Sequence, residues 1–206
     1  AADGAECTIK VSQVANPDVA QTLPYEEAFG SNQGLFTIEN VNISSLNYVW
    51  AWASGYGMKA SAYAGGAKAA EAWLVSPLIS LEGATNPELT FTHAINYANS
   101  ADNAKAACTV WVSKNGGAWE QVTIPTYSDN KSWTFVESGE ISLAKYVGST
   151  VKVAFKYVST ASNAGTWEVK NFSVAEAGGA VTPDPTPDPE PEPTPTPDGK
   201  YVTMSL

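Results

Sequence analysis

Val151-Lys152-Val153-Ala154-Phe155-Lys156-Tyr157 is the stretch that decides the fold class. Val151, Val153, Phe155 and Tyr157 fall on one face of an extended chain, and Lys152 and Lys156 fall on the other. A period of two with apolar and charged faces is the pattern of a half-buried antiparallel strand. Working outward, the same alternation recurs between clusters of Gly, Asn, Pro and Ser. Strands are expected over Tyr25–Phe29, Leu35–Ile43, Tyr48–Ala53, Tyr56–Tyr63, Trp73–Leu81, Glu88–Tyr97, Ala107–Lys114, Trp119–Ile124, Trp133–Glu137 and Thr166–Val174. Cys7–Val14 alternates too, as the last strand of a preceding module or the first of this one. Helical periodicity is nearly absent. The one helix-like composition, residues 64–72, carries two glycines and reads as a small-residue loop. Short strands without crossover helices give an all-β antiparallel sandwich or barrel.

Prolines alternate with other residues from Pro183 to Pro197, and Asp184, Asp188, Glu190 and Glu192 stand among them. Such a run lacks the donors and the apolar surface for a packed element and reads as a disordered, extended interdomain linker. The chain does not begin with Met and stops at Met204-Ser205-Leu206, within what reads as a new strand. It is therefore read as part of a longer protein. Residues 1–22 form an N-terminal strand or linker, 23–177 the sandwich domain, 178–199 the acidic proline-rich linker, and 200–206 the start of a further domain.

Composition removes several function classes. The net charge is -10, carried by 21 acids against 11 bases, and every base is a lysine. Without arginine or a basic stripe, nucleic acid is not an expected partner. No run is long and apolar enough to insert as a membrane helix. His93 is the only histidine, which leaves little for His-based catalysis or a His-rich zinc site. Glu26, Glu27, Glu71 and Glu168 are the candidate acids for a glycoside hydrolase, but no strand pattern aims two of them at one bond. Cys7 and Cys108 lie far apart, and pairing and separate thiols both stay open.

Several ordered motifs resemble the choice-of-anchor J domains of bacterial surface proteins, which are similar to cleaved-adhesin and MAM-like jelly rolls. They are Leu23-Pro24-Tyr25-Glu26-Glu27-Ala28-Phe29, Phe36-Thr37-Ile38-Glu39-Asn40-Val41, Trp73-Leu74-Val75-Ser76-Pro77-Leu78-Ile79-Ser80-Leu81, Thr109-Val110-Trp111-Val112-Ser113, Trp119-Glu120-Gln121-Val122 and Trp167-Glu168-Val169-Lys170-Asn171-Phe172. The resemblance implies a jelly-roll β-sandwich, an extracellular or cell-surface location and an accessory or adhesive role without an active site. It also implies a structural calcium between an early acid and two aspartates of the last strand. Glu27 holds the early position, but Lys170-Asn171 replaces the aspartates, so the candidate ligands are Glu27 and Asn171, with Glu168 behind them.

The residues themselves point to a sugar-binding surface. In Tyr48-Val49-Trp50-Ala51-Trp52-Ala53 the rings of Tyr48, Trp50 and Trp52 share a face. Tyr97 could extend it, with Asn96, Asn99 or Asn103 as polar neighbours. Packing into the inter-sheet core is the competing reading of that row. Trp73, Trp111, Trp119 and Trp167 read as packing or edge residues. The expected function is non-catalytic adhesion or recognition of a glycan or cell-surface polysaccharide. The alternative is a structural module that presents other domains of the same polypeptide.

Overall fold

A computed structural model describes residues 18–43 and 46–178. Cys7–Val14, the proline-rich run and residues 200–206 lie outside the described residues. In chain order the elements are β1 (Tyr25–Glu27), β2 (Thr37–Asn42), β3 (Trp50–Ala53), β4 (Gly57–Ala60), β5 (Ala70–Val75), β6 (Ile79–Ser80), β7 (Pro87–Asn96), α1 (Ala101–Ala107), β8 (Cys108–Lys114), β9 (Trp119–Val122), β10 (Val136–Glu137), β11 (Ile141–Ser142), β12 (Thr150–Ser159) and β13 (Thr166–Glu176).

Two antiparallel sheets pack as a jelly-roll β-sandwich. One runs β2-β5-β12-β8-β9, with β6 also on β12; the other runs β10-β7-β13-β4-β3, with β1 also on β13 and β11 on β7. The period read from residues 151–157 is the one observed, since Val151, Val153, Phe155 and Tyr157 are buried between the sheets. A chain of edge-on ring contacts crosses this core. Phe29 meets Phe36, Phe36 meets Phe172, and Phe155 meets Phe91, Phe172 and Trp167, all with centroids 4.9–6.1 Å apart. Edge-to-face packing is the preferred geometry of aromatic pairs and makes the core directional as well as apolar.

Sequence reading and structure part in several places: β11 has no counterpart among the expected strands, Trp133–Glu137 shrinks to β10, and β5 begins within the expected loop 64–72. The expected strand Trp73–Leu81 is two strands, β5 and β6, because Pro77 has no N–H to give a ladder. An unexpected helix, α1, precedes β8. Ser100 is its N-cap and accepts the Asn103 N–H at 3.1 Å, while Ala104 and Ala107 pass into the core. A good cap and small buried alanines suffice for such a short helix. At β2, the edge of the first sheet among the described residues, the register on β5 shifts between Asn40 and Asn42. This bulge leaves Val41 unpaired and exposed.

Candidate carbohydrate-binding face

The row Tyr48, Trp50 and Trp52 does not form one platform. Trp50 is 1% exposed. Its indole meets Trp167 at 5.6 Å, and its N–H donates to the Ala72 carbonyl of the opposite sheet. The ring therefore belongs to the inter-sheet core and is corrected from a ligand contact to a packing residue. Tyr48 precedes β3 and is 63% exposed. Trp52 stands at the hairpin end, 36% exposed, with its N–H on the Phe29 carbonyl at 2.9 Å. Register puts Trp50 opposite Ala60, Ala60 opposite Trp167 and Thr166 opposite Asn96. Tyr48 and Tyr97 thus share one end of the second sheet, and Trp52 lies toward the other.

Tyr97 is an exposed ring in a left-handed conformation, φ 64°, packed edge-on against Trp133 at 5.5 Å. Of the amides expected to serve it, Asn96 and Asn99 bond backbone groups, while Asn103 is exposed on α1. Asn96 accepts the Tyr97 N–H, Asn99 donates to the Ser162 carbonyl, and Asn130 bonds both backbone groups of Ala98.

A larger aromatic surface lies on the outer face of the first sheet, where Trp73, Trp111 and Trp119 converge. Inward Ala72 and Leu74 place Trp73 outward on β5, and inward Val110 and Val112 do the same for Trp111 on β8. Trp119 of β9 faces Ser113, itself outward. Trp73 and Trp119 stand three strands apart and four residues apart along them, about 20 Å on a flat sheet. Their ring centroids are nevertheless only 5.5 Å apart, and Trp73 meets Trp111 at 5.7 Å. The side chains lean toward one another and roof Val75 and Ala154, small outward residues that are fully buried.

Polar contacts fix this cluster. The Trp73 N–H donates to Glu71 Oε1 at 3.0 Å, and the Trp111 N–H to Thr109 Oγ1 at 2.9 Å. Lys156 pairs with Glu71 at 3.0 Å and places its ammonium 4.9 Å from the Trp73 ring and 5.5 Å from the Trp111 ring. Burial works against the Glu71 carboxylate, but the Trp73 N–H and the Lys156 ammonium outweigh it and hold its pKa below the ordinary range. The three indoles are partly buried, beside exposed Gln121 and partly buried Lys152. Ala104 and Ala107 of α1 belong to the inter-sheet core, and among the described residues no strand of the other sheet lies on this face. Sequence reading set these tryptophans aside as packing or edge residues. The available signal was an outward indole between two inward aliphatic neighbours.

The calcium ligands implied by the resemblance, Glu27 and Asn171, line one pocket, with Glu27 opposite Phe172 across β1 and β13, and each has a partner within the protein. Glu27 accepts the Phe29 N–H at 2.9 Å and lies so close to Gly34 that a Cβ there would overlap its carboxylate. Asn171 turns its amide N–H toward Thr92 Oγ1. The Lys170 ammonium lies over the Phe135 ring at 4.1 Å. Calcium asks for six to eight oxygens with several carboxylates, and no group of three His, Cys, Asp or Glu gathers among the described residues.

Glu71, Glu168 and the histidine are held apart, while Glu26 lines an open pocket with Glu27, Glu88, Glu140 and Glu176. Glu71 is on the outer face of one sheet, while Glu26 and Glu168 belong to the other. His93 is buried; its Nδ1 accepts the Trp167 N–H, and its Nε2 lies 2.9 Å from the Thr126 carbonyl, so Nε2 carries the proton. Burial lowers its pKa, with the Thr126 carbonyl opposing. Both nitrogens are committed to structure.

Glu168 is buried on the outer side of β13, and its Oε2 lacks a partner. Burial raises its pKa, with Lys59 and Lys170 pulling it down. A carboxyl raised on folding gives the folded state its advantage at low pH and forfeits it as pH rises through the folded pKa. Glu168→Gln is therefore expected to raise the melting temperature at pH 7 and to give little gain near pH 4. Thermal melts across that range check it.

No family model and no curated protein matches the chain. Among solved structures it is similar to the K2 cleaved adhesin domain of Lys-gingipain, at 14% identity over 74% of this chain and 99% of that one, TM-score 0.49. The K3 cleaved adhesin domain of Lys-gingipain from Porphyromonas gingivalis W83 is similar at 13% identity, over 74% and 98%, TM-score 0.49. TmCBM61, solved with beta-1,4-galactotriose, is similar at 12% identity, over 73% and 94%, TM-score 0.47. Similarity of this degree says nothing of a ligand for this chain.

Proposed function

We propose that this chain is a non-catalytic carbohydrate-recognition module of a secreted or cell-surface bacterial protein, with its ligand on the Trp73, Trp111 and Trp119 face. The ordered motifs support placing it with choice-of-anchor J domains, and that placement supports the extracellular location. One observation carries the binding reading: three partly buried indoles cluster on the outer face of one sheet, two of them fixed through their N–H groups. Sandwich outer faces are ordinarily polar, and an exposed aromatic patch beside hydrogen-bonding side chains is the usual make-up of a sugar site. Tyr97 with Trp133, and Tyr48 at the same end, form a secondary aromatic surface.

Affinity is expected in the millimolar to micromolar range, about 4 to 8 kcal/mol, because stacking and a few hydrogen bonds must offset the ordering of a flexible chain. Trp119 is the residue to test, since it is only partly buried, on the edge strand β9. Trp119→Ala is expected to weaken glycan binding about tenfold or more with little change in melting temperature. A glycan array followed by calorimetry reads the first quantity and thermal melts the second. A wild-type chain that binds nothing, with Trp73→Ala and Trp111→Ala acting only on stability, would leave a structural module that presents its neighbouring domains.

A further inference from the structure

Resting on that reading, we infer that the ligand is a single soluble polysaccharide chain and not the surface of a crystalline polysaccharide. The argument is the tilt of the rings. Trp73 is inclined by 51° to Trp111 and by 45° to Trp119. A crystal face offers sugar rings in one plane, so only indoles that are themselves coplanar can all lie flat on it. With these inclinations one ring lies flat and its neighbours meet the plane by an edge, losing the face contact on which stacking depends. A free chain can rotate about its glycosidic bonds and turn successive sugars toward differently inclined rings.

The tilt is built into the cluster. Trp73 is held by Glu71 and Trp111 by Thr109 through their N–H groups. The Lys156 ammonium lies against both rings while paired to Glu71. Buried Val75 and Ala154 fill the space beneath. Flattening the platform would break these contacts together, so the geometry is preorganised for a turning chain. The centroid separations of 5.7 and 5.5 Å are on the scale of one sugar unit, which suits one unit against each indole. Gln121 faces Trp111 across β8 and β9, and Lys152 shares a row with Ser113 and Trp119. Both side chains stand within the row pattern of the platform, where sugar hydroxyls would meet them.

The test uses the whole chain and two kinds of probe. Crystalline probes are microcrystalline cellulose and crystalline chitin, read by depletion of protein from solution. Soluble probes are xylan, galactan, mixed-linkage glucan and glucomannan, read by retardation in affinity gels. Oligosaccharides of increasing length from the best of these follow in calorimetry. The expected result is retardation by at least one soluble polysaccharide without depletion by either crystal. Affinity should climb about tenfold or more up to three units and then level off. Trp119→Ala should lose the retardation, and Trp119→Tyr, which keeps a ring, should retain most of it. Saturable depletion by a crystalline probe overturns the inference but leaves carbohydrate recognition standing. Failure to bind either kind of probe overturns carbohydrate recognition itself.

Discussion

Replacing Trp50 by alanine is expected to cost about 3 to 5 kcal/mol of folding stability, the range for deleting a large buried aromatic side chain. The indole is enclosed between the sheets, touches Trp167 at 5.6 Å and donates its N–H to the Ala72 carbonyl across the sandwich. Truncation empties a ring-sized volume and leaves that carbonyl without its donor, and the two losses add. For a domain of this size the melting temperature should fall by about 10 °C. Chemical denaturation gives the free energy directly. A loss below about 1 kcal/mol would mean that Trp50 is not the core residue described here. Glycan binding by the surviving folded fraction should be unchanged, which separates Trp50 from Trp119.

Gly57→Ala is the second large effect. Gly57 opens β4 with φ 74°, a conformation that costs a residue with a Cβ about 1 to 2 kcal/mol. The added carbon would stand 2.3 Å from the Val169 carbonyl oxygen and 2.7 Å from Lys170 Cγ. The lysine can move aside, but the carbonyl belongs to β13, which pairs with both β4 and β7. Relief therefore requires β4 to withdraw from the central strand of its sheet, carrying β3 with it. A total loss of roughly 2 to 4 kcal/mol is expected, measured by denaturant titration. Gly55→Ala is the control: φ is 80° but nothing lies near the added carbon, so only the conformational part should appear.

The sandwich was legible because a period of two is fixed by the pleat itself, and residues 151–157 display it without interruption. What period cannot supply is depth. Tyr48, Trp50 and Trp52 alternate as a shared face requires, but burial depends on what stands opposite. The other sheet covers Trp50, while Trp52 reaches the hairpin end and Tyr48 falls before the strand begins. The platform of Trp73, Trp111 and Trp119 was beyond a linear reading for a related reason. Its members sit on three strands, and only the crossing of β12 between β5 and β8 brings them together. Even so, Ala72-Trp73-Leu74 and Val110-Trp111-Val112 each announced an outward indole. The helix α1 was hidden by brevity, since seven residues do not show a helical period.

The irregular pairing of β2 bears on how this protein behaves among copies of itself. An open sheet edge invites another chain to continue the ladder, and a long even edge is a route to aggregation. Here the extra residue between Asn40 and Asn42 breaks the spacing of N–H and C=O groups that an incoming strand would need. Glu39 adds a charge along the same strand. Among the described residues, the first sheet thus ends in an edge that disfavours strand-to-strand assembly, while its outer face carries the cluster of Trp73, Trp111 and Trp119.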